Sequence, residues 1–494
     1  MDKFSKTKFA KALGFDAEKK QTSVKTEIVA GIVTFLAMAY ILTVNPFQIL
    51  GDSSSVYWPS LFMATALAAV VGTLLMAFVA KMPLAQASGM GLNAMVGGMV
   101  GGYAYGASFT LGQSFMLVLI SGIIFLVLSL VKIKGKTFRE LMFDGMPVAV
   151  RSAISVGIGL FIAFIGFQNS KVIVGSPYTI ADLIVFSTYD VNVANAAVCL
   201  VGLFIIAILD KLKVKGSVIF GIIGATLFGG LVGVTDPSVL AGNGGVSWKF
   251  WENWANFFGK ESVFGSFLGV FGSGNSFAPA GVTVFTIIMI VITMCMIDMF
   301  DTMGTIVGCC GGNRILSDEN NKPHNYDKIM ICDAVATCAG AMLGTSTVTT
   351  FVESGAGVSA GGRTGLTAFT TACLFFLATF AMPLFAVIPS AATGAALVYV
   401  GVLMMKNNIK SVDFSDAISA TSAFLTMIVM VLGYSITDGI GIGLISYVVM
   451  NAIEYLVKLV KYGIDKKEKP VWNVSVVALI VTALFLVYFF VPAM

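Results

Sequence analysis

The sequence predicts an all-α polytopic membrane protein of fourteen transmembrane spans, arranged as two inverted seven-span repeats. Three observations predict it: the share of apolar residues, the placement of Lys and Arg, and a short string that recurs at the same ordinal position in each half. Of 494 residues, 57% are apolar and 11% are charged, against about 25% charged in soluble domains. Roughly 280 apolar residues fill about fourteen spans at about 20 each. The mean hydropathy is +0.91. These values exclude a soluble enzyme, a disordered chain and a nucleic-acid binder.

Apolar runs fall near 27–50, 58–80, 84–105, 111–132, 146–168, 193–209 and 214–234, and again near 282–308, 328–344, 347–362, 364–388, 390–405, 417–434 and 437–457. The N-terminal segment 1–26 carries Lys3, Lys6, Lys8, Lys11, Lys19, Lys20 and Lys25 and shows no cleavable signal peptide. With that segment in the cytoplasm, the inside loops hold Lys132, Lys134, Lys136 and Arg139, then Lys211, Lys213 and Lys215, then Arg314, Lys322 and Lys328, then Lys406 and Lys410. The outside loops are nearly free of basic residues, and the long one, 235–281, has only Lys249 and Lys260 beside the interfacial candidates Trp248, Trp251 and Trp254. This is the positive-inside pattern, and a miscount of one span breaks it.

The loop 235–281 divides the chain into a first repeat, 27–234, and a second, 282–457. Seven spans per copy is an odd number, so the copies are expected to be inverted. The remainder, 458–494, is a basic stretch and a last apolar run at 472–492, read as an extra span or an interfacial helix.

The string Ser88-Gly89-Met90-Gly91-Leu92-Asn93-Ala94 in the third run recurs 266 residues later as Ser354-Gly355-Ala356-Gly357-Val358-Ser359-Ala360 in the tenth. Paired glycines inside a short apolar run weaken a continuous helix. Such runs make broken helices whose ends point at a midplane site. A small-residue packing face also accounts for the glycines, but not for the acids beside them.

Of 26 acids, five fall inside predicted spans: Asp298, Asp301, Asp333, Glu353 and Asp438. An ionisable group at that depth marks a functional site. Glu353 ends a run of small hydroxyl residues, Thr345 to Thr350, directly before the glycine string. Asp298 and Asp301 are three apart and share one helical face; two such carboxylates do not readily both stay ionised in a dry site. Asp298 is read as ligand-facing and Asp301 as structural or proton-linked. Helix capping is the reading for Asp333 and Asp438, and a cytoplasmic anchor that for Arg363. Asn93, a buried amide able to donate and accept, is placed opposite Glu353 by the repeat. The one histidine, His324, excludes a His-ligated metal or a His relay, and the seven cysteines show no C-x-x-C pair and read as small buried hydrophobes.

The stretches Gly31 to Pro46, Gly89 to Ala94, Asp298 to Gly308, Gly344 to Gly365 and Tyr434 to Tyr447 resemble the AzgA-type purine nucleobase permeases of the xanthine/uracil permease superfamily. The resemblance covers nearly the whole chain. It implies a core domain that carries the site, a gate domain that supports it, and short third and tenth spans with extended segments. Carried over by motif, the substrate contacts are Asp298, Glu353 and Asn93, with Thr350 and Gly355 counted beside Glu353. The implied cargo is adenine, guanine or hypoxanthine moved with protons across the cell membrane, without a cofactor. A homodimer stays open. The chain departs from the pattern at Ser88, where proline is expected, and at Met95-Val96-Gly97-Gly98, where bulkier residues are expected; the latter reads as a looser pocket wall.

On this reading Glu353 accepts two adjacent N–H groups of a purine, Asp298 meets another edge, and half-helix amides serve a carbonyl oxygen. Phe300 and Phe351 are the stacking candidates, and Glu353, Asp301 and Asp298 the groups for a coupled proton. An anion transporter or a channel on the same fold is the alternative; an anion site calls for a basic residue where this chain has Glu353. An enzyme is not expected: it calls for a nucleophile–base pair or a metal cluster, and the single loop histidine argues against both.

Overall fold

The structure is a computed structural model and describes residues 6–490, apart from 52–54, 103–106, 134–135, 138, 140, 142–144, 176–180, 189, 215, 242–246, 260–261, 273–275, 311–313, 318–322 and 466–470. The first half forms α1 (Val24–Met38), α2 (Ile41–Leu50), α3 (Trp58–Leu75), strand β1 (Gln86–Ser88), α4 (Met90–Gly101), α5 (Leu111–Leu130), α6 (Val148–Asn169), α7 (Val191–Lys211) and α8 (Ser217–Leu231). The second forms α9 (Val284–Cys310), α10 (Tyr326–Leu343), β2 (Val348–Thr350), α11 (Ser354–Ser359), α12 (Gly365–Ala378), α13 (Ser390–Asn408), α14 (Ala417–Leu432) and α15 (Ile436–Asp465), followed by α16 (Val476–Phe490).

Each of the fourteen apolar runs thus becomes a helical or strand–helix unit. Eight of the helical segments are long and apolar enough to cross a membrane by length and composition. Some helices begin where the sequence offers a side-chain acceptor for their free amides. Ser23 accepts from the Thr26 amide and Asp416 from that of Ser419. Thr110 and Gln113 form a reciprocal capping box on α5.

The packing obeys a two-fold rule. The contact of α3 with α12 is matched by that of α10 with α5, and α1 with α12 by α9 with α5. Likewise α7–α8 is matched by α14–α15, α6–α14 by α13–α7, and α8–α13 by α15–α6. Every pair is generated from its counterpart by exchanging the halves. The strands agree, since β1 and β2 are antiparallel, with Ala87 opposite Thr349. Equivalent elements running in opposite directions are what an inverted repeat requires. The most extensive contacts also separate two bodies: α1–α5 with α9–α12, the core, and α6–α8 with α13–α15, the gate.

The gate is closed by α6 against α13, and glycine makes that crossing possible. A Cβ on Gly401 would lie 2.3 Å from the Gly159 carbonyl oxygen, and one on Gly166 would lie 2.8 Å from that of Gly394. The two contacts sit seven residues apart on each helix, the close backbone approach that small residues allow between membrane helices.

Several expectations are revised. Arg139 is not a solvated loop charge but fully buried, and Asp333 does not cap a helix: the cap of α10 is Asn325, and Asp333 lies inside the helix with no exposure. The acids within the apolar runs also include Glu454, exposed and paired with Lys458 at 2.6 Å, and Glu27, which is buried with its carboxylate at the start of α12. It accepts from the backbone amides of Arg363 (2.9 Å), Thr364 (3.2 Å) and Thr367 (3.2 Å). A carboxylate at a helix N-terminus is favoured by the unpaired amides and the dipole, so Glu27 ties α1 to α12. Arg363 donates to the Val358 and Gly362 carbonyls at the end of α11. Asp438 lies in the first turn of α15, where Ser435 supplies the cap by accepting the Asp438 amide. Six cysteines are buried or partly buried, but Cys373 is exposed. The last run forms α16, which packs on α15.

Gly401→Val places its side chain against backbone that cannot give way. It is expected to cost at least 1–3 kcal/mol and to lower the folded, monodisperse fraction in size-exclusion chromatography. Wild-type recovery contradicts the close crossing.

Candidate functional site

The two strand–helix breaks meet at the centre of the core. Buried backbone there must find partners inside the protein. The ladder supplies them between Gln86–Ser88 and Val348–Thr350, extended by the Gly89 amide on the Thr347 carbonyl (3.0 Å) and the Phe351 amide on that of Ala85 (3.0 Å). Beyond the strands the halves differ. A single residue, Gly89, separates β1 from α4, whereas Phe351, Val352 and Glu353 separate β2 from α11. The matched glycine strings therefore do not superpose as elements: Ser88 ends a strand, while Ser354 begins a helix.

The longer break forms a tight turn, with the Ser354, Gly355 and Ala356 amides on the carbonyls of Phe351, Val352 and Glu353. Gly355 thus spends its amide within the turn and packs toward the Cys309 thiol. The half-helix amides expected to face a ligand are absent from α11. On α4 the amides of Met90, Gly91 and Leu92 have no acceptor among the described residues.

A cavity of ≈ 40 Å³ opens at this junction. Its core wall is Met90 and Gly91, then Asp301 and Thr305 on α9, then Thr350 to Glu353; its gate wall is Val400 and Met404 on α13. Glu353, Asp301, Thr350 and Phe351 are therefore together. Asp298, Asn93 and Gly355 do not line the cavity. The side chain of Phe300 lies outside the described residues.

Glu353 accepts from the Tyr40 hydroxyl at 2.5 Å. Asp301 accepts from Thr349 at 3.4 Å. Asp298 is fully buried behind the strands, where Thr337 donates to one of its oxygens at 3.3 Å; its other oxygen has no hydrogen-bond partner among the described residues. Asn93 faces Ser346, whose hydroxyl it accepts, and donates to the Ser88 carbonyl at 3.4 Å, so it stitches the two breaks together rather than standing opposite Glu353. Ser88, the departure from proline, bonds the Thr345 hydroxyl at 3.0 Å. Gly97 does not loosen a pocket wall: a Cβ there would lie 2.1 Å from the Gln48 carbonyl oxygen, so the small residue serves the packing of α4 on α2.

Two residues outside the sequence expectation complete the site. Tyr40 stands between α1 and α2, inside the Gly31–Pro46 stretch that carries the family resemblance but does not single it out. Gln86 donates through Nε2 to Thr350 Oγ1 (3.3 Å) and Asp333 Oδ1 (3.1 Å). Asp333 also accepts from Thr302 at 2.9 Å and pairs with Arg139 at 3.5 Å. The Arg139 guanidinium lies 3.3 Å over the Phe125 ring and donates to Ser129 (3.0 Å) and the Met330 carbonyl (3.1 Å). A chain of contacts thus runs from the cavity wall to the buried cation. A larger groove of ≈ 390 Å³ between α6 and α14 is lined by apolar side chains alone, among them Phe164 and Phe424, and has no polar group to orient a ligand.

Arg139→Gln leaves Asp333 buried without its cation. It is expected to cost about 3–5 kcal/mol, while the paired replacement Arg139→Met with Asp333→Leu recovers most of that loss. Thermal melting of the purified variants checks both; a harmless Arg139→Gln contradicts the pair.

Comparison with known proteins agrees with this architecture. The chain is 34% identical over 442 residues to the adenine permease AdeP of Escherichia coli, covering 88% of this chain and 89% of that one. It is 33% identical over 447 residues to the guanine/hypoxanthine permease PbuO of Bacillus subtilis, covering 89% and 94%. Among solved structures, the transmembrane domain of the cyanobacterial bicarbonate transporter BicA superposes with a TM-score of 0.56 at 13% identity, covering 84% of this chain and 97% of that one, which shows a shared fold. The model of the Permease family matches residues 25–442, and this multi-pass membrane chain belongs to that family.

Proposed function

We propose that the protein carries purine nucleobases across the cell membrane by proton symport, with its N-terminus in the cytoplasm. The observation that carries this reading is the cavity that joins Glu353, Asp301, Thr350 and Phe351 of the core to Val400 and Met404 of the gate. Purine rings present adjacent N–H donors, and a carboxylate accepts two side by side. Glu353 is the clamp. Asp301, on the same cavity wall, meets a second edge or takes the coupled proton. Asp298, one turn away and behind the strands, serves as a further proton site in this account. The free amides of Met90 to Leu92 suit a carbonyl oxygen or ring nitrogen, Thr350 supplies a hydroxyl, and Phe351 an aromatic face. Asn93 and Gly355 act on the substrate only through the backbone they hold.

The size of the cavity gives the mechanism its direction. At ≈ 40 Å³ it is far below the roughly 300 Å³ at which ligand pockets begin. A bicyclic base enters only when the gate wall at Val400 and Met404 moves from the core. Alternating access then follows from one body rocking against the other around a fixed site. Among the described residues the cavity wall offers carboxylates and no cation, so its chemistry favours a neutral N–H-rich base over an anion. The adenine and the guanine/hypoxanthine relatives are almost equally similar, so the identities do not select one purine.

Two experiments test this. Glu353→Gln is expected to reach the membrane at the wild-type level and to lose at least about 100-fold in uptake of radiolabelled adenine, guanine or hypoxanthine, the order expected when a bidentate charged contact is removed. Normal uptake by that variant removes the clamp. Collapse of the pH gradient is expected to stop accumulation; accumulation driven by a sodium gradient alone contradicts proton coupling.

A further inference from the structure

We propose that Tyr40 is a positioning residue for Glu353, holding the carboxylate in the plane from which it receives the base. The proposal rests on the reading of Glu353 as the clamp. Among the described residues, Tyr40 is the one side-chain hydrogen-bond partner of Glu353, at 2.5 Å, and the two are 313 residues apart in sequence. Glu353 makes no side-chain cap on its own helix α11; among the described residues the turn gives its carboxylate only the residue's own backbone amide, and the contact from another element is Tyr40.

Tyr40 is built to supply that orientation. It is 1% exposed and belongs to the main hydrophobic core. It stands where α1 gives way to α2, with backbone held from both sides: its carbonyl accepts from the Thr43 and Val44 amides, while the amide of neighbouring Ala39 bonds the Phe35 carbonyl at 2.7 Å. The phenol ring is thus a fixed post, whereas a glutamate side chain is free about several torsions. Each carboxylate oxygen has two acceptor positions. The Tyr40 hydroxyl takes one on Oε1 and the residue's own amide another, which leaves two of the four for N–H donors. Without the hydroxyl the carboxylate can rotate, and the base must order it on binding. The first half of the chain, which among the described residues supplies no acid to the cavity, thereby supplies the group that aims the acid of the second.

The test is a double-mutant cycle of Tyr40→Phe and Glu353→Gln in the full-length protein, read by equilibrium binding of radiolabelled adenine, guanine and hypoxanthine. Tyr40→Phe keeps the ring and its packing. It is expected to weaken binding about 10- to 100-fold, the value of a hydrogen bond to a charged group, and to raise KM by a similar factor while leaving the maximal uptake rate and the membrane level near wild type. In the Glu353→Gln background the same change is expected to add nothing. Wild-type affinity for Tyr40→Phe, or an equal loss in both backgrounds, overturns the proposal. Where Glu353→Gln binds too weakly to measure, infrared difference spectra decide. The carboxyl band that disappears in Glu353→Gln is expected to shift in Tyr40→Phe, and an unshifted band overturns the proposal. A wild-type protein that binds no purine overturns the functional reading instead, while the infrared comparison still tests the contact.

Discussion

The antiparallel pairing of Gln86–Ser88 with Val348–Thr350 is the constraint on which the rest of this structure depends. Extended backbone in the interior of a membrane protein has no water to satisfy it. Each of these two segments can exist only because the other is there. That requirement brings the third and tenth runs together, aligns the two halves about a common axis, and leaves two helix ends facing one place. Asn93 with Ser346, and Ser88 with Thr345, reinforce the same junction from its flanks. Their contribution is to the stability of the break.

The site arises where the two halves stop being equivalent. One residue links strand to helix in the first half and three do so in the second, and the difference puts Phe351 and Glu353 on the cavity wall. Charge is then distributed around that wall in depth. Glu353 and Asp301 face the cavity; Asp298 and Asp333 lie behind the strands; Arg139 offsets Asp333 from the far side, with Gln86 linking that pair to the cavity hydroxyl of Thr350. A buried ion pair of this kind contributes less to stability than it costs to break, which makes each member hard to replace singly. The core is therefore polar inside and held as one body, while the α6–α13 crossing, closed by glycine on glycine, fixes the gate as another.

Much of this was legible in the sequence, for physical reasons. The runs were visible because a membrane helix is apolar all round. Glu353 was visible because a lone acid in such a run is costly. Other features left no local signal. Arg139 looked like one more cytoplasmic charge, since its Asp333 partner is 194 residues away. Glu27 sat at the edge of its run, and only the fold brings the α12 amides to it. The choice between Asp298 and Asp301 depended on the rotation of α9 about its axis, which a spacing of three residues does not reveal. Gly355 and Asn93 matched their motif in sequence, but the two extra residues in the second break shifted the helices relative to the string. The break in the first run at Tyr40 has no proline or glycine at its centre to announce it.

The claim at the centre of this account is that Glu353 meets the nucleobase at the junction of the two strand–helix breaks. Cryo-electron microscopy of the full-length protein with a saturating purine tests it most directly. A base is expected between Phe351 and the α13 wall, with two of its nitrogen atoms within hydrogen-bond distance of the Glu353 carboxylate. A base bound without contact to Glu353, for example in the apolar groove between α6 and α14, would contradict it.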